Sequence, residues 1–450
     1  MITEQERPKG FMDWLKESVT VKLVFISVLV LVLLIPSTQV ENLINERAAR
    51  QDEMIKNVSD QWSGSQLVAG PLMEIPYKKY VKTIDANDKE KTKEVIEKLY
   101  VLPDNLHIKA SLVTEVLHRG IFDVAVYNTK VSLSGNFDKI NLAALGITEN
   151  QLMPEKAKII FSLSDLKGLK TNPTIKAGNQ TATAEPVFTN DTLFSNGLQA
   201  AVNLTGLLNA DILFDYTLDM KGSQELHFLH LGKTTDAEIS GDWASPSFDG
   251  RYLPDERKVN NKGFDAKWRM LYYNRPFPQQ WTDDNSLFKN QKKLNDATFG
   301  LKLRMPVDQY QKTTRTSKYA ILIILLTFIS LFLTEIIRKQ KIHAFNYILI
   351  GAAMIIYYTL LLSFSEQIGF NYAYLVASIA TIGLIAIFIA SLLKNKIAAL
   401  LFAVILAIFY AFIFIIIQLE DLALMVGSIA LFMIVGVLMY FSRKINWDRN

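Results

Sequence analysis

Six long stretches of the chain carry almost no charge, and they constrain the fold more than any other feature of the sequence. A bilayer core about 30 Å thick needs about 20 apolar residues of helix, because each residue rises about 1.5 Å. Glu335 is the single charged residue within the six stretches. The chain is therefore predicted to span a membrane six times. The predicted spans are Leu23–Val40, Tyr319–Ile337, Ala344–Ser365, Gln367–Leu393, Ile397–Leu419 and Leu422–Ser442.

The first stretch has a second interpretation, a cleaved signal peptide. Lys9, Lys16 and Lys22 form a basic flank, and Leu23–Ile35 has the length of a signal-peptide apolar region. No site with the small-x-small pattern follows, and the chain continues into a polar helix predicted over Asn42–Trp62. An uncleaved anchor is therefore the favoured interpretation.

The distribution of Lys and Arg predicts the orientation, because short cytoplasmic segments are enriched in both. Basic residues occupy one set of loops and the C-terminal tail: Arg338, Lys339, Lys341, Lys394, Lys396, Arg443, Lys444 and Arg449. The alternate loops carry Glu366, Glu420 and Asp421 instead. Both termini are therefore predicted to be cytoplasmic, and residues 41–318 to lie on the far side of the membrane.

Residues 41–318 have the composition of a soluble domain, with charges throughout. Ile55, Val58 and Trp62 have helical spacing, and after them the apolar period becomes two. Alternating segments begin at Phe122, Phe214, Phe264 and Leu301, which is typical of half-buried antiparallel strands in a sandwich or open barrel. The mixed-charge run Asp88–Lys98 is predicted to be a solvated loop.

The fold class predicted is an α+β membrane protein: six transmembrane helices with a large extracytoplasmic antiparallel β-rich domain inserted between helices 1 and 2. Its parts are a cytoplasmic tail (1–22), helix 1 (23–40), a periplasmic β-rich domain (41–318), a five-helix transmembrane domain (319–442) and a second cytoplasmic tail (443–450). The chain has no Cys, which excludes disulfides, thiolate metal sites and a Cys nucleophile.

Sequence motifs for catalysis are missing. The chain has no P-loop, no G-x-G-x-x-G after a strand, no H-E-x-x-H and no G-x-S-x-G. His227 and His230 are the one close histidine pair, and an odd separation on a strand places them on opposite faces, where one metal ion could not readily bind both. We therefore predict no catalytic, cofactor or metal residues and no nucleic-acid partner, since the net charge of +4 reflects helix ends.

Glu335 is the strongest candidate for a functional residue. A carboxylate within a membrane span is costly in free energy and is taken as functional by default. It lies one turn from the cytoplasmic end, with Arg338 and Lys339 at i+3 and i+4. Local pairing is favoured over a proton or ion relay. Most tyrosines of the spans are predicted to serve as interfacial belts and packing residues, although Tyr357 and Tyr358 fall near mid-span.

A second set of candidates lies at the outer ends of the spans. Lys312, Arg315 and Lys318 precede the second span, and Glu366, Glu420 and Asp421 are the charges on the outer turns. Opposite charges at one depth suggest that the acids pair with the basic segment and seat the β-rich domain on the bundle. The alternative is independent solvation among the lipid headgroups.

Ordered segments along nearly the whole chain resemble the CreD family of bacterial inner-membrane proteins. In chain order, the segments include Glu46-Arg47, Gln66-Leu67-Val68-Ala69-Gly70-Pro71, Arg119-Gly120-Ile121-Phe122-Asp123, Lys221-Gly222-Ser223, Ser245-Pro246-Ser247-Phe248-Asp249-Gly250, Gly263-Phe264-Asp265-Ala266-Lys267-Trp268, Pro306-Val307-Asp308-Gln309-Tyr310 and Leu361-Leu362-Ser363-Phe364-Ser365-Glu366. The chain departs from the family pattern at Ala344, where Pro is expected, and at Gln367, where His is expected.

The resemblance implies a non-enzymatic protein linked to envelope integrity, colicin tolerance and the response to cell-wall stress. The expected partners are the lipid bilayer and an unknown envelope protein, lipid or cell-wall component. A transporter or lipid-handling protein is the alternative, favoured by Glu335 and the mid-span tyrosines. An enzyme comes third, because no nucleophile and base stand together in the sequence.

Overall fold

The structure is a computed structural model that describes residues 19–84, 90–188, 193–194, 196–305, 309–338, 340, 342–419 and 422–443. It divides into two compact units. The helical unit takes the described residues of Met1–Asp52 and Val307–Asn450, and the β-unit takes those of Glu53–Pro306. The boundary between them lies inside the first helix.

The helices account for most of the helical unit. They are α1 (Val19–Trp62), α2 (Gln291–Ala297, in the β-unit), α3 (Gln309–Lys318), α4 (Ala320–Arg338), α5 (Ala344–Ile368), α6 (Phe370–Leu393), α7 (Lys396–Gln418) and α8 (Ala423–Ser442).

The predicted first span and the polar helix after it form one helix, α1, of 44 residues. It contains Pro36, whose missing N–H removes one backbone hydrogen bond without ending the helix. Beyond Glu53, Ile55, Val58 and Trp62 pack on Leu117, Val124 and Val126, as their helical spacing predicts.

Among the described residues, four helices are long and apolar enough to cross a membrane: α1, α5, α6 and α7. A fifth span results if α3 and α4, which meet at 42°, count as one. In α8 the apolar stretch found is Met425–Gly436, which is shorter than a span. Four or five spans thus rest on the described helices, and the sixth remains a prediction.

Two sheets build the β-unit. Their strands are β1 (Gln66–Ile84), β2 (Glu90–Val101), β3 (Asn105–Arg119), β4 (Phe122–Phe137), β5 (Lys158–Leu163), β6 (Thr174–Ala177), β7 (Gln180–Thr183), β8 (Glu185–Pro186), β9 (Gly197–Ala201), β10 (Ile212–Ser223), β11 (Glu225–Leu229), β12 (Thr234–Gly241), β13 (Pro246–Gly250), β14 (Glu256–Asn260), β15 (Gly263–Leu271), β16 (Gln280–Thr282) and β17 (Thr298–Leu303).

The first sheet has the order β13-β17-β11-β1-β5-β9-β8, with β2 beside β1 and β16 beside β2. The second has the order β14-β15-β12-β3-β4-β10-β6-β7. Most neighbours are antiparallel, but β1 pairs with β11 and β3 with β12 in parallel. The prediction of purely antiparallel sheets is wrong at these two pairs, because alternation reports burial of one face and not strand direction.

Burial alternates as predicted in β10 and β15, whereas in β4 the residues from Val124 to Tyr127 are buried on both faces. In β15, Phe264, Ala266, Trp268 and Met270 are buried and the residues between them are exposed. Both sheets contribute to one apolar core. Rings from the two sheets meet there, with centroids of Trp268 and Phe299 5.7 Å apart.

The predicted loop at Asp88–Lys98 is a strand from Glu90 onward, and Asp88 itself lies outside the described residues. The alternating charges of β2 face partners on β1. Glu94 pairs with Lys78 at 3.0 Å and Glu97 with Lys79 at 2.9 Å. Cross-strand pairs of this kind stabilise a sheet, so the mixed charge that suggested a loop instead belongs to a solvated hairpin.

Buried polar contacts hold the start of β1. The side-chain amide of Gln66 donates to Ser63 Oγ and to the Asp165 carbonyl, both at 2.9 Å, and approaches the Lys221 carbonyl at 3.4 Å. A Cβ on Gly222 would lie 2.4 Å from the Tyr127 hydroxyl, so glycine is required there. Three segments far apart in sequence therefore meet at Gln66.

Candidate functional site

Glu335, on α4, lies in a polar cluster at the end of the helical unit. It is 8% exposed, and its carboxylate forms a short ion pair with Lys22 of α1. The backbone N–H of Ile342 and the hydroxyl of Tyr347 also donate to it, each at 3.1 Å. Lys22 donates in addition to the Ile342 carbonyl at 2.8 Å. Three donors from three parts of the helical unit therefore meet at this carboxylate.

The sequence analysis did not predict the pair of Lys22 and Glu335. Local pairing with Arg338 and Lys339 was predicted, and those side chains lie outside the described residues. Lys22 is 313 residues from Glu335, so no helical spacing could indicate the contact. One signal was available, since the orientation rule placed both residues at the cytoplasmic end.

A second cluster surrounds Glu366 near the end of α5. The Tyr310 hydroxyl of α3 donates to it at 2.9 Å, and Arg47 of α1 lies 4.0 Å away. Lys312 donates to Gln418 at 3.1 Å, and its ammonium lies 5.8 Å from the Phe370 ring centre.

The pairing of the basic segment with the outer acids remains a prediction. Glu366 contacts Arg47 and Tyr310, and neither contact was predicted. Arg315 is half-buried and Lys318 is exposed, while Glu420 and Asp421 lie outside the described residues. The contacts of Tyr310 with Glu366 and of Lys312 with Gln418 join α3 to other helices of the helical unit.

Four buried tyrosines form the middle of the helical unit. Tyr357 and Tyr358 lie on α5, Tyr374 on α6 and Tyr410 on α7. Around the ring of Tyr357, the centroids of Tyr358 and Tyr410 lie at 4.9 Å and that of Tyr374 at 6.0 Å, all nearly perpendicular to it. Such edge-to-face packing is the favoured geometry of aromatic pairs.

The hydroxyls of this cluster are largely unpaired. Tyr374 donates to the Tyr410 carbonyl at 2.7 Å. The hydroxyls of Tyr357, Tyr358, Tyr410 and Ser378 have no hydrogen-bond partner among the described residues. The sequence placed the first two near mid-span and counted them in favour of the transporter alternative. Packing accounts for the rings and not for the hydroxyls.

The β-unit carries a charged cluster across β11, β17 and β13. His227 Nε2 lies 2.6 Å from Asp249 Oδ1, and Lys302 donates to Glu225 at 3.0 Å and to Asp249 at 3.1 Å. Burial would raise the pKa of Asp249, but the bonds from His227 and Lys302 outweigh it and lower that pKa. The cluster therefore joins two acids, one lysine and one histidine across three strands.

His230 follows the end of β11 and has different surroundings from His227. Its Nδ1 lies 2.9 Å from the Thr235 hydroxyl, and burial lowers its pKa to about 4. Neutral His230 is thus a structural residue of the core. In the described part of the chain, no group of three or more His, Asp and Glu side chains could hold a metal ion.

An open groove crosses the exposed face of the second sheet. It is lined mostly by residues with polar side chains, together with the apolar parts of those residues: Asn172, Thr174, Lys176, Thr181, Asp215, Tyr216 and Thr217. Lys176 and Asp215 stand opposite each other on β6 and β10. The groove offers donors, acceptors and both signs of charge, which suits a hydrophilic partner.

Comparison with known proteins identifies the family. The family model described as "Inner membrane protein CreD" matches residues 18–448. The inner membrane protein CreD of Escherichia coli K12 is 28% identical over 422 residues, which cover 93% of this chain and 91% of that protein. A solved M1 zinc metallopeptidase from Deinococcus radiodurans gives a TM-score of 0.18 at 8% identity, with 38% of each chain covered, and this likeness carries no argument. The match spans both units, and the chain belongs to the CreD family of inner membrane proteins.

Proposed function

We propose that this protein supports the integrity of the bacterial cell envelope, with tolerance of colicins and of cell-wall stress as the outcome. It does so by binding an envelope component and not by catalysis. The observation that carries this proposal is the polar groove of the β-unit, an open surface on a domain of a membrane-anchored family.

The topology of the proposal is six spans with both termini cytoplasmic and the β-unit periplasmic. The described turn between α6 and α7 supports it, because Lys394 and Lys396 are both exposed there. The Glu366 end of α5 carries an acid instead. In this orientation the groove faces the periplasm and the cell wall.

The chemistry of the groove favours a hydrophilic occupant such as a cell-wall polymer. Thr174, Thr181 and Thr217 supply hydroxyls, Asn172 an amide, and the Lys176–Asp215 pair both charges. Groups of this kind pair with sugar hydroxyls and peptide amides, whereas an acyl chain would leave them unsatisfied.

In-cell photocrosslinking tests the proposal. A benzophenone amino acid at Thr174 or Thr217 should give a high-mass adduct in growing cells. The same group at Lys258, which is exposed on the opposite edge strand β14, is the matched control and should give none. Absence of adducts at both groove positions, or equal adducts at Lys258, would reject the groove as the contact surface.

The alternative function, transport or lipid handling, is favoured by the polar side chains buried in the helical unit. Glu335 is its most testable residue. A Glu335→Gln protein at normal abundance that fails to restore envelope tolerance, while photocrosslinking at the groove persists, would favour transport. Retained tolerance would favour the binding function.

A further inference from the structure

The middle of the helical unit contains more unsatisfied hydroxyls than packing explains. Tyr357, Tyr358 and Tyr410 are at most 2% exposed, and Ser378 is 6% exposed. Their four hydroxyls lack a partner within the part of the chain that the structure describes. A hydroxyl that is removed from water without a partner destabilises the folded protein, and phenylalanine would avoid that cost.

The unpaired groups converge from three helices. Tyr357 and Tyr358 come from α5, Ser378 from α6 and Tyr410 from α7, and the rings of Tyr358 and Tyr410 both pack on Tyr357. The hydroxyl of Tyr357 lies near those of Ser378 and Tyr374, although neither contact has the geometry of a hydrogen bond. Hydroxyls that lie close together without direct bonds can be bridged by a small hydrogen-bonding molecule.

The chemistry of the site selects its occupant. Each group is a neutral hydroxyl that both donates and accepts, and the side chains that form the cluster carry no charge. An ion would find no counter-charge among them. A water molecule is neutral, makes two to four hydrogen bonds and matches hydroxyls of this kind.

Apolar layers separate the cluster from the polar groups at both ends of α5. Ile350 and Met354 lie between it and Tyr347, and Leu361 and Leu362 lie between it and Glu366; all four are buried. Tyr347 and Tyr357 are ten residues apart, which is roughly 15 Å along a helix and too far for a direct bond. Along α5 the site is therefore closed on both sides.

We propose that the hydroxyls of Tyr357, Tyr358, Tyr410 and Ser378 form an enclosed hydration site, in which bound water satisfies them within the membrane. This site is independent of the envelope function proposed above. It gives α5, α6 and α7 a shared hydrogen-bonded centre, where a dry core would give contact between rings alone.

Radiolytic footprinting of the purified full-length protein in detergent tests for the water directly. Hydroxyl radicals generated by a short X-ray pulse form from bound water and modify the rings beside it. Tyr357, Tyr358 and Tyr410 should be modified several-fold faster than Phe402, a ring on α7 that is 1% exposed. Modification no faster than that of Phe402 would overturn the proposal.

Melting temperatures test the proposal independently, because a site without bound water predicts a change in Tm in the opposite direction. If water holds the hydroxyls, Tyr358→Phe and Tyr410→Phe should each lower Tm by roughly 2 °C or more, because a satisfied bond is lost. If the hydroxyls are dry, the same substitutions remove an unsatisfied group and raise Tm. Tyr374→Phe, which loses the bond to the Tyr410 carbonyl, calibrates the fall expected for one bond.

Discussion

The ion pair between Lys22 and Glu335 gives the sharpest test of how the helical unit is held together. Removing one partner of a fully buried pair costs about 3–5 kcal/mol, because a charge is left without compensation. Here the cost is smaller. The Lys22 side chain is 25% exposed, and Glu335 retains two other hydrogen-bond donors when Lys22 is replaced.

The magnitude follows from what each variant leaves behind. Lys22→Met leaves a carboxylate bonded to the Ile342 N–H and the Tyr347 hydroxyl, so we expect a loss of about 2–3 kcal/mol. Glu335→Gln leaves a lysine with the Ile342 carbonyl and partial solvent, so we expect about 1–2 kcal/mol. The double variant strands no charge. The double-mutant cycle formed by these variants should give a coupling energy of about 1–3 kcal/mol between Lys22 and Glu335.

Unfolding of the full-length protein by SDS in mixed micelles, followed by far-UV circular dichroism, measures these free energies. The control is the exposed pair Arg50–Glu46, one helical turn apart on α1, whose side chains are 58% and 55% exposed. Its coupling should not exceed about 0.5 kcal/mol. If the Lys22–Glu335 coupling is no larger than that of the control, the pair does not join α1 to α4.

Three further outcomes are expected. Asp249→Asn should lower the melting temperature at pH 7, because it removes bonds to the histidine and lysine partners of Asp249. The pKa of Asp249 is lowered on folding, so this stabilisation is lost as pH falls through that pKa. The melting temperatures of the two proteins should therefore converge below pH ~4. Gly222→Ala should cost about 1–3 kcal/mol through overlap with the tyrosine hydroxyl, whereas Gly64→Ala, whose nearest neighbour would be at 3.9 Å, should be nearly neutral in the same chemical denaturation. With no native Cys, a cysteine at the fully exposed Phe188 should react with an impermeant maleimide in cells with a permeabilised outer membrane, and one at Asn395 should not; the reverse pattern contradicts the proposed orientation.

The sequence predicted those elements whose burial repeats with a fixed period. In β15 every second residue from Phe264 to Met270 is apolar, and the alternation alone identified the strand. It could not show that β1 lies parallel to β11, because the period is the same for both strand directions. It also misplaced β2, where alternating Lys and Glu resemble a solvated loop until the partner strand supplies the opposite charges.

The candidate sites were harder to predict because their contacts join distant parts of the chain. Glu335 was identified from its cost in a membrane, but Lys22 is a residue of the basic flank until the fold places it beside the carboxylate. Glu366 was expected to pair, with Glu420 and Asp421, to the basic segment of Lys312, Arg315 and Lys318; the contacts described for Glu366 are with Tyr310 and Arg47, which the sequence did not indicate. The charge of a residue was readable from the sequence, and its partner was not.

The polar contacts of Gln66 impose an order on synthesis and folding. Their partners follow 99 residues later at Asp165 and 155 residues later at Lys221, and β1 also needs β11 as its parallel neighbour. At a translation rate of about 5–20 residues per second, the last of these segments emerges roughly 8–30 s after β1. During that interval β1 can already pair with β2, since the register of this hairpin needs no later residue. We therefore expect the nascent chain to hold β1 in this hairpin, with the opposite edge of β1 open until β5 arrives and the first residues of β1 unpaired until β11 arrives.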